Sequence, residues 1–372
     1  MSATCGFGIV GAGVIAATHA EAIASLPGAL LAAVTDVDAP RAAALAEATG
    51  ASAEPGLDEL LARPDVDVVC VCVPSGMHAE VGVRAAAAGK HLVVEKPIDV
   101  TLAAADRLIA AAADAGVALT VISQHRFDPG LTELRGLLAE GALGRLVFGE
   151  ASTKWYRTQD YYDSAGWRGT LALDGGALMN QGVHYVDLLR WCAGPVTEVT
   201  ALCQTADHRV EAEDVALALL RFASGAVGTV IASTAMYPGF PQRLELAGTG
   251  GTVVVEDGQI VHRSLLAGPA AGAGGAKTGD GGTNAGDGAG QAAAADPTAL
   301  AGAAAVGTSG HAAQIADLLA AIDEGRTPAV TGQDGRDALE IVCAVYQSAR
   351  EGRTITLPAA GAARVPQQGG PR

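Results

Sequence analysis

From residue 5 to about residue 122, short apolar runs alternate with segments whose apolar positions recur every three or four residues. The runs Cys5–Val10, Leu30–Thr35, Val66–Val73, His91–Val94 and Val117–Ile122 predict strands. The stretches His19–Leu26, Ala39–Ala48, Met77–Ala88 and Leu102–Ala115 between them predict helices. Strands apolar on both faces and separated by helices belong to a parallel, doubly wound sheet covered on both sides. After residue 123 the pattern changes. A helix (Pro129–Glu140) precedes a strand (Leu146–Thr153), a loop rich in Trp, Tyr and Arg, and a helix over Gly176–Leu189. Alternating segments follow at Val196–Thr205, Asp214–Phe222, Gly225–Thr234, Arg243–Gly248 and Thr252–Glu256, divided by turns such as Ser224-Gly225 and Asp257-Gly258. They predict an open, largely antiparallel sheet with one face free to pack elsewhere. Helices His311–Glu324 and Asp334–Glu351 and a strand Thr354–Leu357 close the pattern. The fold class is therefore α/β in two domains, residues 1–123 and 124–358.

Composition alters this picture in two places. Residues 267–305 are almost wholly Ala, Gly, Asp and Thr. Such a stretch cannot bury enough apolar surface to offset its ordering entropy, so it is expected to be a mobile insertion, with 359–372 a disordered tail. A net charge of −16 argues against nucleic acid and anionic membranes as partners. No Lys or Arg precedes Arg41, and Gly, Asp or His interrupts every apolar run short of a membrane span. A cytoplasmic protein is expected. The six cysteines form no metal-type cluster, and no metal is expected.

The Gly176–Leu189 segment reads GALMNQGVHYVDLL. At about 100° per residue, Asn180, His184, Asp187 and Trp191 share one sector, opposite Leu178, Tyr185, Leu189 and Cys192. A stripe of Asn, His and Asp without Lys or Glu is not an ordinary solvated face. Near the N-terminus, GIVGAGVIA fits G-x-G-x-x-[GA] after a strand. Gly11 permits the turn, Gly13 lets backbone approach a pyrophosphate, and Ala16 packs helix on strand. Asp36 ends the second strand, where a carboxylate can bind an adenosine ribose and repel a 2′-phosphate; this favours NAD over NADP. Pro74, Ser75 and His78 lie at the carboxyl end of another strand, facing the ligand crevice, although Ser75 equally suits a helix cap. Glu95 and Lys96 end the strand of HLVVEKPID. Lys96 is left between two roles: an ammonium aimed at a substrate oxygen, or one paired with Glu95 at the surface.

In order along the chain, GAGVIA, Asp36, VPSGMH, VVEKP, QHRFDP, WRG and DGGALMNQGVHYVDLL resemble the Gfo/Idh/MocA family of nicotinamide-dependent sugar and cyclitol oxidoreductases. The resemblance implies a Rossmann domain followed by an open-sheet α/β domain that forms homodimers or homotetramers through its sheet. It implies Lys96 and His184 as the catalytic pair, with His184 as general base for a substrate hydroxyl and Lys96 polarising the same oxygen. The family usually has Asp four residues before this His, where Asn180 stands here; Asn holds a hydroxyl but carries no charge. Cofactor contacts are implied for Gly11, Gly13, Val14, Ile15, Ala16, Asp36, Pro74, Ser75, His78, Glu95, Lys96, Gln124, Trp167 and Arg168. The loop KWYRTQDYYDSAGWRG looks like that of the subgroup containing UDP-N-acetylglucosaminuronate 3-dehydrogenases. Arg157, Tyr161 and Arg168 then serve a phosphorylated or carboxylated sugar, together with Asn180. Asp187 either belongs to the substrate site, orienting the imidazole in the cleft, or is a structural helix carboxylate. The expected activity is oxidation of a ring hydroxyl of a sugar or nucleotide-sugar by NAD. Its rivals are an inositol or free-sugar dehydrogenase, and a non-catalytic dinucleotide-sensing regulator. His311 and Gln314 either reach the cleft or serve as a helix cap and a surface residue, the latter being the expectation.

Overall fold

A computed structural model describes residues 4–266 and 307–358; the Ala/Gly-rich stretch expected to be an insertion and the expected tail lie outside them. The first half alternates β1 (Cys5–Val10), α1 (Val14–Ala24), β2 (Ala29–Thr35), α2 (Ala39–Thr49), β3 (Ser52–Ala53), α3 (Leu57–Ala62), β4 (Val68–Val71), α4 (His78–Ala87), β5 (His91–Val94), α5 (Leu102–Ala115) and β6 (Leu119–Val121). The six strands are all parallel, in the order β3-β2-β1-β4-β5-β6. The order reverses between β1 and β4, and the crevice at that switch point is where such sheets take ligands. Of these elements, β3 and α3 were not foreseen. Two and six residues are too short for a hydrophobic period to register.

The second half contains α6 (Pro129–Ala139), β7 (Leu146–Lys154), α7 (Gln159–Asp163), α8 (Val183–Ala193), β8 (Val196–Gln204), β9 (Val215–Phe222), β10 (Val227–Ser233), β11 (Arg243–Gly248), β12 (Gly251–Glu256) and β13 (Gln259–Leu265). After residue 307 come α9 (Thr308–Glu324), α10 (Gly332–Glu351) and β14 (Ile355–Thr356). The eight strands run β13-β12-β11-β7-β10-β9-β8-β14, antiparallel except for the β7–β10 pair. Strand β13, an exposed edge strand of mixed polarity (QIVHRSL), carries no apolar run to announce it.

Alternation in β9 decides how this sheet sits. Ala216, Ala218, Leu220 and Phe222 are buried, while Leu217 and Leu219 remain exposed on the other face. The covered face receives α8 and α10: Leu178, Tyr185, Leu189 and Cys192 are all buried there, as their sector of the helix predicts. The last helices return to the first sheet. Ile315 and Leu318 of α9 join a core with Phe7, Ile9 and Ile23, although the sequence pattern places them in the second domain. His311 and Gln314 are thereby neither cap nor surface residue; both are 1% exposed. Gln314 spends its amide on the β6 end, donating to Thr120 Oγ1 and the Val121 carbonyl (both 2.8 Å) and accepting from Ser123 N (2.9 Å). Among the described residues no helix is long and apolar enough to cross a membrane.

Candidate active site

The turn from β1 into α1 is built around two glycines. Gly11 has φ +95°, and a Cβ there would meet the Cys72 carbonyl oxygen at 2.6 Å, so only glycine fits. At Gly13 a Cβ would meet nothing within 4 Å: the space outside this backbone is open. No side chain caps α1, so its first N–H groups are directed at that space, a match for a pyrophosphate. Ala16 is fully buried against the sheet, Ile15 half-buried and Val14 exposed at the helix start. Asp36 stands beside the turn; its Oδ2 accepts from Ala12 N (2.6 Å) and its Oδ1 from Asp38 N (2.7 Å). Each carboxylate oxygen keeps a second lone pair for a ribose hydroxyl. The chain's own residues therefore fit a dinucleotide here.

At the carboxyl end of β4, Ser75 is buried and caps neither its own turn nor α4; Ala79 N instead finds Asp99 Oδ2 at 3.1 Å. Pro74 beside it is half-buried. His78, expected at the cofactor, is held between two backbone carbonyls, Pro97 O (2.7 Å) and Val73 O (2.9 Å), which leaves no ring nitrogen for a ligand. It ties the end of β4 to the loop after Lys96. Glu95 also turns inward: its Oε1 lies 2.7 Å from His19 Nε2 and 3.6 Å from His311 Nε2, and all three residues are buried. His19 and His311 hold the Glu95 carboxyl well below its usual range despite the burial. An ion pair of Glu95 with Lys96 at the surface is not what forms.

Lys96 crosses to the second half of the chain. Its Nζ donates to the Asn180 carbonyl (2.9 Å) and lies 3.5 Å from Asn180 Oδ1. Asn180 is not on a regular α-helix. Residues Ala177–Gly182 form a π-helical turn that runs directly into α8, changing the angular spacing on which the polar stripe was drawn. Asn180, His184 and Asp187 nonetheless converge around Lys96. Asn180 meets Lys96, and His184 lines the same small cavity as Lys96, Ile122, Ser123 and Asp187. Asp187, proposed for substrate, gives both oxygens to Arg126, at 2.7 Å to Nε and 2.5 Å to Nη2. Arg126 also reaches Asp334 Oδ1 (3.3 Å) and lies over the Trp191 ring. Asp187 is a buried structural carboxylate, one turn below the imidazole.

Burial, the Lys96 ammonium and His125 hold His184 well below the usual imidazole range, so its imidazole is neutral at pH 7. The His125 ring stands edge-on to it, with centroids 5.3 Å apart, and is itself tied to Asp128. Lys96 is lowered by burial and by Arg157 and Arg168, against the raising influence of Glu95 and Asp174.

The aromatic loop lies near Lys96, close enough for Arg157 and Arg168 to act on its ammonium. Arg168 donates to Tyr161 Oη (2.6 Å) and stacks on the Tyr161 and Trp167 rings at 4.3 and 4.6 Å. Arg157 is buried, 5.1 Å from both the Trp155 and Tyr161 rings. Gln181 donates to the same Tyr161 oxygen (3.2 Å). Gln124 is buried with Oε1 unpartnered among the described residues. Sequence reasoning missed Arg126, Asp334, Gln181 and Asp174. The one available signal was a charge embedded in an apolar motif, as in QHRFDP and LDGGAL.

Residues 5–123 match the oxidoreductase family with an NAD-binding Rossmann fold, and residues 131–254 match the GFO/IDH/MocA C-terminal domain. The structure is similar to the WlbA dehydrogenase of Bordetella pertussis, solved with NADH and UDP-GlcNAcA. The TM-score is 0.83 at 32% identity, covering 96% of this chain and 99% of that one. In sequence the chain is 26% identical to myo-inositol 2-dehydrogenase of Thermotoga maritima, over 94% of its own length and 98% of the relative's. It is 28% identical to D-apiose dehydrogenase of Paraburkholderia graminis, over 94% and 88% of the two lengths. A glycine turn open to a dinucleotide, a lysine and a histidine from opposite halves on one cavity, and matches to both domains together make this chain a member of the GFO/IDH/MocA family of NAD-binding oxidoreductases.

Proposed function

We propose that this protein oxidises a ring hydroxyl of a nucleotide-sugar carrying a carboxylate to a ketone, with NAD rather than NADP as acceptor. One observation carries the reading: Lys96, from the end of β5, and His184, from α8, line one cavity although they lie in different halves of the chain. His184, neutral at pH 7, takes the hydroxyl proton. Lys96 donates to the same oxygen and stabilises its developing alkoxide character. Asn180 holds the ammonium in place. Bound NAD supplies the hydride acceptor. A regulator that only sensed dinucleotide would have no chemical use for this pair.

The nucleotide-sugar class rests on the aromatic loop near Lys96 and on similarity to a dehydrogenase solved with UDP-GlcNAcA. The Arg168 guanidinium is packed between aromatic rings and makes no ion pair among the described residues. A substrate carboxylate or phosphate matches it in charge and geometry. The test is a parallel screen for NAD reduction with UDP-sugar uronates, free uronates, hexoses and inositols. Turnover confined to inositols or hexoses removes the nucleotide-sugar assignment, and turnover of none removes the activity.

NAD preference rests on Asp36. Asp36→Ala is expected to raise the Kd for NAD about tenfold, the worth of roughly one charge-assisted hydrogen bond. It should also bring the NADP and NAD affinities closer together, because the charge opposing a 2′-phosphate is gone. Titration of both dinucleotides decides this; an unchanged ratio removes the role. The exposed apolar face of the second sheet, with Leu202 at 73% and Leu219 at 63% exposure, suits a second copy of this chain.

A further inference from the structure

Asp174 is 2% exposed and lies just ahead of the π-turn. Its Oδ2 accepts from Gly169 N (2.7 Å), and its Oδ1 accepts from Asn180 Nδ2. A carboxylate only accepts and an ammonium only donates. Asn180, placed between the two, has one orientation that satisfies both: Nδ2 toward Asp174, Oδ1 toward Lys96. We propose that Asp174 is a positioning residue acting through Asn180, setting the amide's orientation and supplying the negative charge that keeps Lys96 an ammonium aimed into the cavity. Asn180 cannot provide that charge itself. The assignment rests on the reading of Lys96 as the group that meets the substrate hydroxyl.

The groups around the ammonium come from every neighbouring element. Glu95 is at the end of its own strand, Asp174 and Asn180 lie before and on the π-turn, Arg157 and Arg168 belong to the aromatic loop, and His184 is on α8. Glu95 is already committed to His19, and both arginines oppose a charge on Lys96. Asp174 is the carboxylate linked to Lys96 by a chain of hydrogen bonds through one side chain. Burial pushes its carboxyl up, while Gly169 N, the Asn180 amide, Arg168 and Lys96 all favour the ionised form.

The chain has four lysines, Lys90, Lys96, Lys154 and Lys277. Labelling the full-length protein with acetic anhydride across a pH series, read site by site by mass spectrometry, therefore titrates Lys96 against three internal references. Asp174→Asn keeps an oxygen for Gly169 N but removes both the charge and the acceptor that orients the Asn180 amide. Its Lys96 midpoint is expected to fall by about one pH unit, with the other three unmoved. The exchange Asp174→Asn with Asn180→Asp returns the charge one residue nearer and restores the midpoint, which a merely structural role would not do. If Asp174→Asn fails to fold, Asn180→Asp alone carries the test, and the Lys96 midpoint rises. A midpoint unmoved in Asp174→Asn, unrestored by the exchange, or unmoved in Asn180→Asp alone overturns the proposal. Labelling needs no substrate, so an empty substrate screen bears on the proposed activity and leaves this result standing.

Discussion

Lys96→Ala is expected to lose about 10³-fold in kcat while largely retaining NAD binding. The magnitude follows from what the ammonium does. Removing a single preorganised donor from an oxygen that gains negative charge costs about 10²–10³ in rate, and Lys96 also fixes where that oxygen sits. NAD binding is expected to be largely spared because the proposed pyrophosphate and ribose sites are the β1–α1 turn and Asp36, leaving Lys96 a minor share of the cofactor contacts. Lys96→Arg should not recover the activity. A planar guanidinium cannot stand on the Asn180 carbonyl and present a point charge to the cavity at once. The variant also leaves that carbonyl without its donor, so a thermal unfolding scan must show an intact fold. A folded Lys96→Ala protein turning over substrate within tenfold of the parent would remove lysine from the chemistry.

Asp187→Ala should be among the most destabilising single substitutions here, by about 3 kcal/mol. Arg126 and Asp187 are each 4% exposed at the side chain and bonded through two parallel hydrogen bonds. Removing the carboxylate strands a buried guanidinium, whose remaining anionic partner is Asp334 at 3.3 Å. That residual contact is why the lower end of the usual cost is expected. For a chain of this size the thermal midpoint should fall by roughly 4 °C. Replacing both members with apolar residues, Arg126→Met with Asp187→Leu, should recover most of it, since the cost lies in the uncompensated charge and not in the pair's net worth. A single variant within 1 kcal/mol of the parent would show that solvent reaches Arg126. The folded fraction of the single variant should keep most of its activity, because both Asp187 oxygens are committed to Arg126.

Hydrophobic period alone determined the two-sheet architecture. Strands apolar on both faces require cover on both sides, and the alternation in β9 requires one buried and one open face. The glycine turn was equally legible in form, because a positive φ at Gly11 is a matter of local backbone conformation. The roles of Lys96, Glu95, His78, Asp187, His311 and Gln314 were not, because each depends on a partner brought in by tertiary packing. Glu95 and Lys96 are adjacent in the chain and face opposite ways, one into the His19–His311 pocket and the other across to Asn180, 84 residues on. His311 and Gln314 carry polar atoms that suit a surface until α9 is laid on the first sheet. The polar stripe gathers Asn180, His184 and Asp187 around Lys96, but through a π-turn that a helical wheel with one angle per residue does not show. Local sequence dictates which residues form strands, helices and turns. Which side chains share a cavity is decided only when the two sheets are packed, because it is the distance between chain segments, not their spacing in sequence, that sets hydrogen bonds and charge.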